Sequence, residues 1–165
     1  MIISAINPTF NQLIRSPVLL LAFGFGSGLS PKAPGTLGSV AAIPIWLLLS
    51  QLSQPFIIMT IVASAIVGVA ICGRAATQLG VHDHGGIVWD EFVGLWITMA
   101  FLPSHYVMLL VGFLLFRFFD IVKPWPISWL DKSVSGGLGI MLDDIVAGVA
   151  AGACGWLLSC LVLTV

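Results

Sequence analysis

The fold is decided by the stretch His82-Asp83-His84-Gly85-Gly86-Ile87-Val88-Trp89-Asp90-Glu91-Phe92-Val93-Gly94, in which two adjacent acids stand at the start of a long apolar segment. A charged carboxylate near a bilayer centre costs about 2.5 kcal/mol or more, so an acid beside hydrocarbon needs a partner, an interfacial position or a function. Asp90 and Glu91 also suit the first turn of a helix, where acids interact favourably with the helix dipole. From this stretch alone, Asp90 and Glu91 can be interpreted either as a helix cap or as part of a functional site.

The composition indicates the broad class of the protein. Hydrophobic residues make up 59% of the 165 residues and charged residues only 8%, whereas an average soluble domain is about 25% charged. The mean hydropathy is +1.11. We therefore predict an all-α integral membrane protein with one membrane-embedded domain over residues 1–165. The expected fold is a helical bundle of about four to five apolar helices with a polar site on the cytoplasmic side.

Several classes of function are excluded by charge and by cysteine spacing. The net charge is -1 and the six Lys and Arg residues form no basic run, so a nucleic-acid partner is not expected. Cys72, Cys154 and Cys160 lie in apolar surroundings without CxxC spacing, which argues against a zinc site or a disulfide framework. Because no cysteine has an arginine six positions later, a covalent cysteine mechanism is not supported either.

The first half of the chain contains a glycine- and proline-rich loop followed by two apolar segments. We expect a helix to begin near Thr36, with Thr36 or Ser39 as its cap. The loop before it either presents backbone N–H groups and Lys32 to an anion or simply lets helices approach closely. The apolar segments, 36–51 and 55–72, predict an antiparallel hairpin. Lys32 and Arg74 then lie on the same side, which the positive-inside rule makes cytoplasmic.

The second half predicts two further helical regions and a membrane-surface segment. The apolar stretch 92–119 is interrupted at Pro103-Ser104-His105, so it forms either one long helix or two short ones, and we favour two. The segment 121–132 combines prolines, tryptophans and lysines, which is typical of the headgroup layer. A last apolar helix is expected from Ile145 to Val165, with a small-residue face suited to close packing.

On this topology the acids at the ends of different apolar segments converge at one depth. Carboxylates at such close range would repel one another unless a cation or protons neutralised them. Carboxylate oxygens are ligands that suit Mg²⁺. The candidate metal ligands are Glu91, Asp120, Asp143 and Asp144. The candidate catalytic residues are Asp90, Glu91, Asp120, Asp143 and Asp144. Asp83 and Asp131 are expected to be solvated loop residues, His82 and His84 to be incidental or metal-binding, and His105 to be a turn residue.

The basic residues complete a hypothesis of metal-assisted phosphate hydrolysis. Lys32, Thr36, Arg74 and Lys123 are the candidate substrate-binding residues. Mg²⁺ would neutralise phosphate oxygens and polarise a water, and a spare carboxylate would act as general base; direct attack by an Asp remains open. The alternatives are another lipid phosphomonoesterase or a small ion-coupled membrane transporter, whose acids would be expected in the middle of spans.

Four motifs in order resemble the phosphatidylglycerophosphatase A family across roughly Leu20 to Gly152. They are Gly24-Phe25-Gly26-Ser27-Gly28 with Pro34-Gly35-Thr36-Leu37-Gly38-Ser39, then Val88-Trp89-Asp90-Glu91-Phe92-Val93-Gly94, then Phe118-Phe119-Asp120-Ile121-Val122-Lys123-Pro124, and Gly139-Ile140-Met141-Leu142-Asp143-Asp144.

The resemblance implies a multi-pass, all-helical phosphatase of the bacterial inner (cytoplasmic) membrane. It implies a Mg²⁺-dependent enzyme that converts the phospholipid phosphatidylglycerophosphate to phosphatidylglycerol and phosphate, and the topology expected above places its active site on the cytoplasmic side. The family's acidic motifs fall on the five catalytic candidates named above, and its basic position falls on Lys123.

Overall fold

The computed structural model describes residues 7–81 and 84–163, and throughout these residues the regular structure is helical. The helices are α1 (Phe10–Arg15), α2 (Pro17–Ala22), a 3₁₀ segment (Gly24–Leu29), α3 (Pro34–Leu49), α4 (Gln54–Leu79), α5 (Trp89–Ala100), α6 (Tyr106–Val122), α7 (Ile127–Ser133) and α8 (Gly136–Leu163). The predicted all-α class is therefore confirmed. Within the described residues, five of these helices have twelve residues or more, namely α3, α4, α5, α6 and α8.

Helix α8 forms the centre of the bundle, because α4, α5, α6 and α7 all pack against it. Small residues allow the closest of these approaches. A methyl group added at Gly148 of α8 would collide with the carbonyl oxygen of Gly94 on α5. The Thr98 hydroxyl donates to both the Gly94 and the Gly148 carbonyl oxygens, each at 3.1 Å. The two backbones therefore meet directly, and the middle of α5 is held against the middle of α8.

Two helices, α4 and α8, are long and apolar enough to cross a membrane by length and composition. In their most apolar windows only 28% and 39% of the residues are buried, so most of this apolar surface faces outward. On α4 the exposed side chains include Ile58, Met59, Val62 and Ile66. A contiguous apolar surface of this kind marks an interaction site on a soluble protein and is ordinary beside lipid. The two helices thus suggest membrane association.

The stretch 92–119 forms two helices, as favoured from the sequence. α5 ends at Ala100 and α6 begins at Tyr106, with His105 as its N-cap. The two helices pack against each other. The imidazole Nδ1 of His105 accepts a hydrogen bond from the backbone N–H of Val107 at 3.3 Å. His105 therefore has the expected role of a turn residue.

Three expected helix boundaries were wrong. α3 begins at Pro34 with Ala33 at its N-cap and no side-chain cap, so neither Thr36 nor Ser39 caps it; the Ser39 hydroxyl instead donates back to the Gly35 carbonyl oxygen at 2.9 Å. α4 extends to Leu79 and α8 begins at Gly136. The α8 boundary shifts because Gly137 lets the helix start against the α4 backbone, where an added methyl would collide with the Val69 carbonyl oxygen. Asp143 and Asp144 consequently lie inside α8 and not at its end.

Candidate active site

The acids of the described residues surround one cavity of about 150 Å³. Its charged lining residues are Asp90, Glu91, Asp120, Lys123, Asp131, Asp143 and Asp144. They come from the first turn of α5, the end of α6, α7 and the interior of α8. The structure therefore brings the acids of the described residues together around one cavity, as predicted from the sequence.

Three of these carboxylates form a compact group. One oxygen each from Asp90, Glu91 and Asp144 lies within 4.8 Å of the others. Asp144 is buried, whereas Asp90 and Glu91 are half-buried. Their spacing depends on the α5–α8 contact, because Gly94 lies one turn after Asp90 and a methyl group there would stand 2.8 Å from the Asp144 carbonyl oxygen.

Unpaired oxygens in this group fit a divalent cation. Asp90 Oδ1 and Glu91 Oε2 are buried and have no hydrogen-bond partner. Leaving such acceptors unsatisfied is costly, and three negative charges at this separation repel one another. A hard cation with oxygen ligands would remove both costs. The chemistry of these three residues therefore suits a metal ion.

An arginine that the sequence analysis did not select lies beside this group. Arg117 of α6 forms an ion pair with Asp120, one turn along the same helix. Its Nη1 also lies 4.0 Å from Glu91 Oε1 and donates to the Ser39 hydroxyl at 3.4 Å. Gly35 makes room for this arrangement, because a methyl group there would collide with Glu91 Oε1. Asp120 thus has a cationic partner within the protein.

On the other side of the cavity, Lys123 links two further acids. Its Nζ donates to Asp143 Oδ2 at 2.5 Å and to Asp131 Oδ1 at 2.7 Å. Lys123 ends α6 in the left-handed conformation with φ 45°. Burial by itself lowers the pKa of the Lys123 ammonium, but its hydrogen bonds and charge interactions with Asp131 and Asp143 outweigh burial and raise that pKa above its ordinary value. The ammonium group therefore stays charged.

The remaining substrate-binding candidates do not line the cavity. Lys32 is exposed in the loop before α3, and Arg74 is exposed on α4. Thr36 is half-buried in the first turn of α3, next to the Gly35 that adjoins Glu91. Of the four candidates, only Lys123 is brought together with the acids.

Two charged residues at the site were missed or misjudged. Arg117 precedes Asp120 by three positions, which is the spacing of neighbours on one helix face, and that signal was available. Asp131 was expected in a solvated loop, but it lies in α7 and its side chain is 38% exposed and paired with Lys123. A short helix preceded by two prolines gives no clear hydrophobic period, so the position of α7 could not be predicted from the sequence.

The two histidines among the described residues, His84 and His105, contribute no ligand to the compact group. His84 is buried, its ring lies 5.4 Å from that of Phe23, and its Nδ1 accepts from the Gly86 N–H at 3.0 Å. It thus has a structural role. The expectations for His82 and Asp83 fall outside the described residues.

These features define a class of protein: a helical bundle with an acidic cavity suited to a divalent cation, and with two apolar helices that suggest membrane association. Comparison with known proteins gives the particular family. The model of the family described as phosphatidylglycerophosphatase A matches residues 20–159. The chain belongs to the phosphatidylglycerophosphatase A family, a family of phosphomonoester hydrolases, and the resemblance seen in the sequence motifs is confirmed.

Two relatives carry the same description, and a third carries a different one. The chain is 53% identical over 137 residues to phosphatidylglycerophosphatase A of Escherichia coli (strain K12), which covers 82% of this chain and 80% of the relative. It is 44% identical over 147 residues to phosphatidylglycerophosphatase A of Haemophilus influenzae, covering 88% and 90%. A Bacteroides thetaiotaomicron protein, provisionally named a phosphatidylinositol-3-phosphatase, is 38% identical over 140 residues, covering 79% and 86%. No solved structure matches the chain.

Proposed function

We propose that this protein hydrolyses the terminal phosphomonoester of phosphatidylglycerophosphate, releasing phosphatidylglycerol and phosphate, with Mg²⁺ as cofactor. The observation that carries the proposal is the compact group of Asp90, Glu91 and Asp144 with its unpaired oxygens, beside the ammonium group of Lys123. Family membership supplies the reaction and the lipid, and the cavity supplies groups that suit both a cation and a phosphate.

The size of the cavity agrees with a headgroup as its occupant. About 150 Å³ corresponds to roughly five water molecules at about 30 Å³ each. That space accommodates a phosphate group with an ion and a water, and it is too small for acyl chains. The chains of the substrate would therefore stay in the bilayer while the terminal phosphate enters the cavity.

The roles of the residues follow from their partners. Asp90, Glu91 and Asp144 would hold Mg²⁺, which when bound neutralises phosphate oxygens and favours ionisation of a water. Lys123 donates to a phosphate oxygen, and Asp143 holds Lys123 in place through Oδ2. Asp143 Oδ1 is buried without a partner, so it can accept a proton from the attacking water.

The bonds and charges of this reaction balance within the site. The water oxygen bonds to phosphorus while the bond from phosphorus to the glycerol oxygen breaks, and the proton on Asp143 passes to the leaving glycerol oxygen. The proposed ligand set differs from the sequence prediction in one respect: Asp90 replaces Asp120 and Asp143, because these two acids already have Arg117 and Lys123 as partners.

The test is phosphate release from phosphatidylglycerophosphate by detergent-purified protein, with Mg²⁺ and with a chelator. We expect release to require the metal and to be lost in Asp144→Asn. Phosphatidic acid and phosphatidylinositol 3-phosphate serve as competing substrates, since the Bacteroides relative is named for an inositol lipid. A preference for either lipid would favour the alternative of another lipid phosphomonoesterase. Absence of hydrolysis by folded protein on all three lipids would refute the enzyme and favour an ion-coupled transporter.

We also propose a multi-pass arrangement in the bacterial inner membrane with the cavity on the cytoplasmic side. The exposed Trp125 and Trp129 beside the cavity support an interfacial position. Ser133, the last residue of α7, and Ser104, between α5 and α6, lie at opposite ends of the α5–α6 pair. Each is changed to cysteine in a background whose native cysteines are alanines. We expect an impermeant thiol reagent to label Ser133→Cys only in inverted vesicles and Ser104→Cys only in right-side-out vesicles. Labelling of both from one side would refute this topology.

A further inference from the structure

A half-buried arginine stands behind the carboxylates. The side chain of Arg117 is 13% exposed, as is that of Asp120, and Arg117 does not line the cavity. Its Nε is buried without a hydrogen-bond partner, so contacts at the end of the guanidinium group hold it. A phosphate in the cavity would meet Lys123 and the acids first. Arg117 is therefore placed to act on the acids and not on the substrate.

Some carboxylate oxygens near Arg117 are close to its guanidinium group, and others are left unpaired. Glu91 Oε1 lies 4.0 Å from the Arg117 Nη1 and against Gly35, whereas Glu91 Oε2 is buried and unpaired. Asp120 is ion-paired with Arg117 and is absent from the compact group of Asp90, Glu91 and Asp144. One oxygen of Glu91 thus remains available to a cation, whereas Asp120, whose carboxylate also contacts that of Asp144, is paired with Arg117.

We infer that Arg117 is a positioning residue that sets the selectivity of this site for Mg²⁺ over Ca²⁺ by restricting how many carboxylate oxygens can reach the ion. The inference rests on the cation-binding part of the proposed function. Mg²⁺ needs near-ideal octahedral geometry and keeps several waters with only a few carboxylates, whereas Ca²⁺ takes six to eight oxygens in flexible arrangements. Releasing Asp120 and Glu91 Oε1 would create a more oxygen-rich and mobile site, which suits Ca²⁺.

The experiment measures binding of each ion alone, without substrate. Detergent-purified full-length protein is titrated calorimetrically with Mg²⁺ and, separately, with Ca²⁺. The variants are Arg117→Gln, Arg117→Lys and the matched control Arg15→Gln, since Arg15 is exposed in α1 away from the cavity. Loss of a group that orients a metal ligand changes metal affinity by about 10- to 100-fold.

We expect Arg117→Gln to weaken Mg²⁺ binding by about tenfold or more and to tighten Ca²⁺ binding, because the released oxygens suit the larger ion, so that the ratio of the two dissociation constants moves toward Ca²⁺. Arg117→Lys keeps the charge but loses the planar fork, and a smaller shift in the same direction is expected. Arg15→Gln should leave both constants unchanged. If Arg117→Gln does not fold, Arg117→Lys carries the test.

Other results of the titrations would overturn the inference, and the hydrolysis assay tests the proposed reaction separately. Equal tightening of both ions in Arg117→Gln would show that Arg117 acts only through its charge, and unchanged constants would show that it does not act on the site. Failure of the wild-type protein to bind either ion would refute the cation site together with the inference. Mg²⁺ binding without hydrolysis of any phosphomonoester would refute the proposed phosphatase reaction and leave the selectivity result intact.

Discussion

Replacing Gly148 by alanine should separate the two helices that bring the acids together. The added methyl would collide with the Gly94 carbonyl oxygen and stand 3.1 Å from both the Gly94 carbonyl carbon and its Cα. Carbon atoms pack best at about 3.5 to 4.0 Å, so α5 and α8 must move apart by roughly 0.5 to 1 Å. These atoms belong to backbone, which cannot turn aside as the end of a side chain can. The same movement carries Asp90 and Glu91 away from Asp144.

Two magnitudes follow from this displacement. Overpacking of a tight contact costs about 1–3 kcal/mol of folding free energy, and a misplacement of about 1 Å at a catalytic site costs on the order of 100-fold in rate. We therefore expect Gly148→Ala to lower the thermal unfolding temperature in detergent. We also expect it to lower kcat for phosphate release by roughly 100-fold, with a smaller effect on KM because Lys123 is not attached to α5.

Gly155→Ala is the matched control on the same helix. Its added methyl would meet side-chain ends of Leu102 and Leu115, at 2.7 and 3.3 Å, which can shift rotamer. This position is about two turns of α8 beyond Gly148 and further from the acids. We expect near wild-type kcat in Gly155→Ala. If Gly148→Ala and Gly155→Ala had equal kcat values, the reasoning that the α5–α8 contact sets the spacing of the acids would be wrong.

Four further substitutions test the assigned roles. Lys123→Gln removes a charge-assisted contact worth about 1.5–3 kcal/mol, so KM should rise about tenfold or more. The control Lys132→Gln, on the exposed end of α7, should leave KM unchanged. Equal effects of the two substitutions would argue against a phosphate-binding role for Lys123. Asp143→Asn should lower kcat by about 10² to 10⁴ as expected for loss of a general base, and retained kcat would exclude Asp143 as the proton acceptor. Asp90→Asn and Asp144→Asn should each abolish the thermal stabilisation that Mg²⁺ gives the wild-type protein; stabilisation that persisted in either variant would remove that residue from the ligand set.

The residues that meet in the site were largely predictable, because acids are rare in an apolar chain. Because 59% of the residues are hydrophobic, each carboxylate was easily recognised as a candidate site residue. The break at Pro103-Ser104-His105 predicted that the chain reverses direction there and brings Asp120 back toward Asp90. The start of α8 was not predictable in the same way. The glycines before Ile140 lay outside the expected last helix, yet Gly137 makes a contact with the α4 backbone that only a helix packed in place can form. Such contacts depend on tertiary structure and leave no local pattern.

The partition of the acids was also beyond the sequence. Spacing could place Arg117 and Asp120 on one face of α6, but it could not show that Glu91 of α5 lies within reach of the same guanidinium group. For this reason the predicted ligand set included Asp120 and left Asp90 out. The compact group in the structure contains Asp90 and lacks Asp120, because Asp120 is paired with Arg117 and Asp90 is not.

The adjacent acids of α8 explain how one helix can serve two different tasks. Consecutive residues on an α-helix point about 100° apart, so neighbours in sequence face different elements. Asp144 faces the α5 acids and belongs to the compact group, whereas Asp143 pairs with Lys123 at the end of α6. The proposed cation and phosphate positions are thereby fixed relative to each other by one peptide unit, which is more rigid than any pair of side chains on separate loops. Had Asp143 and Asp144 stood at a frayed helix end, as the sequence suggested, this spacing would vary. Their place inside α8 therefore supplies the preorganisation that an electrostatic site for phosphate hydrolysis requires.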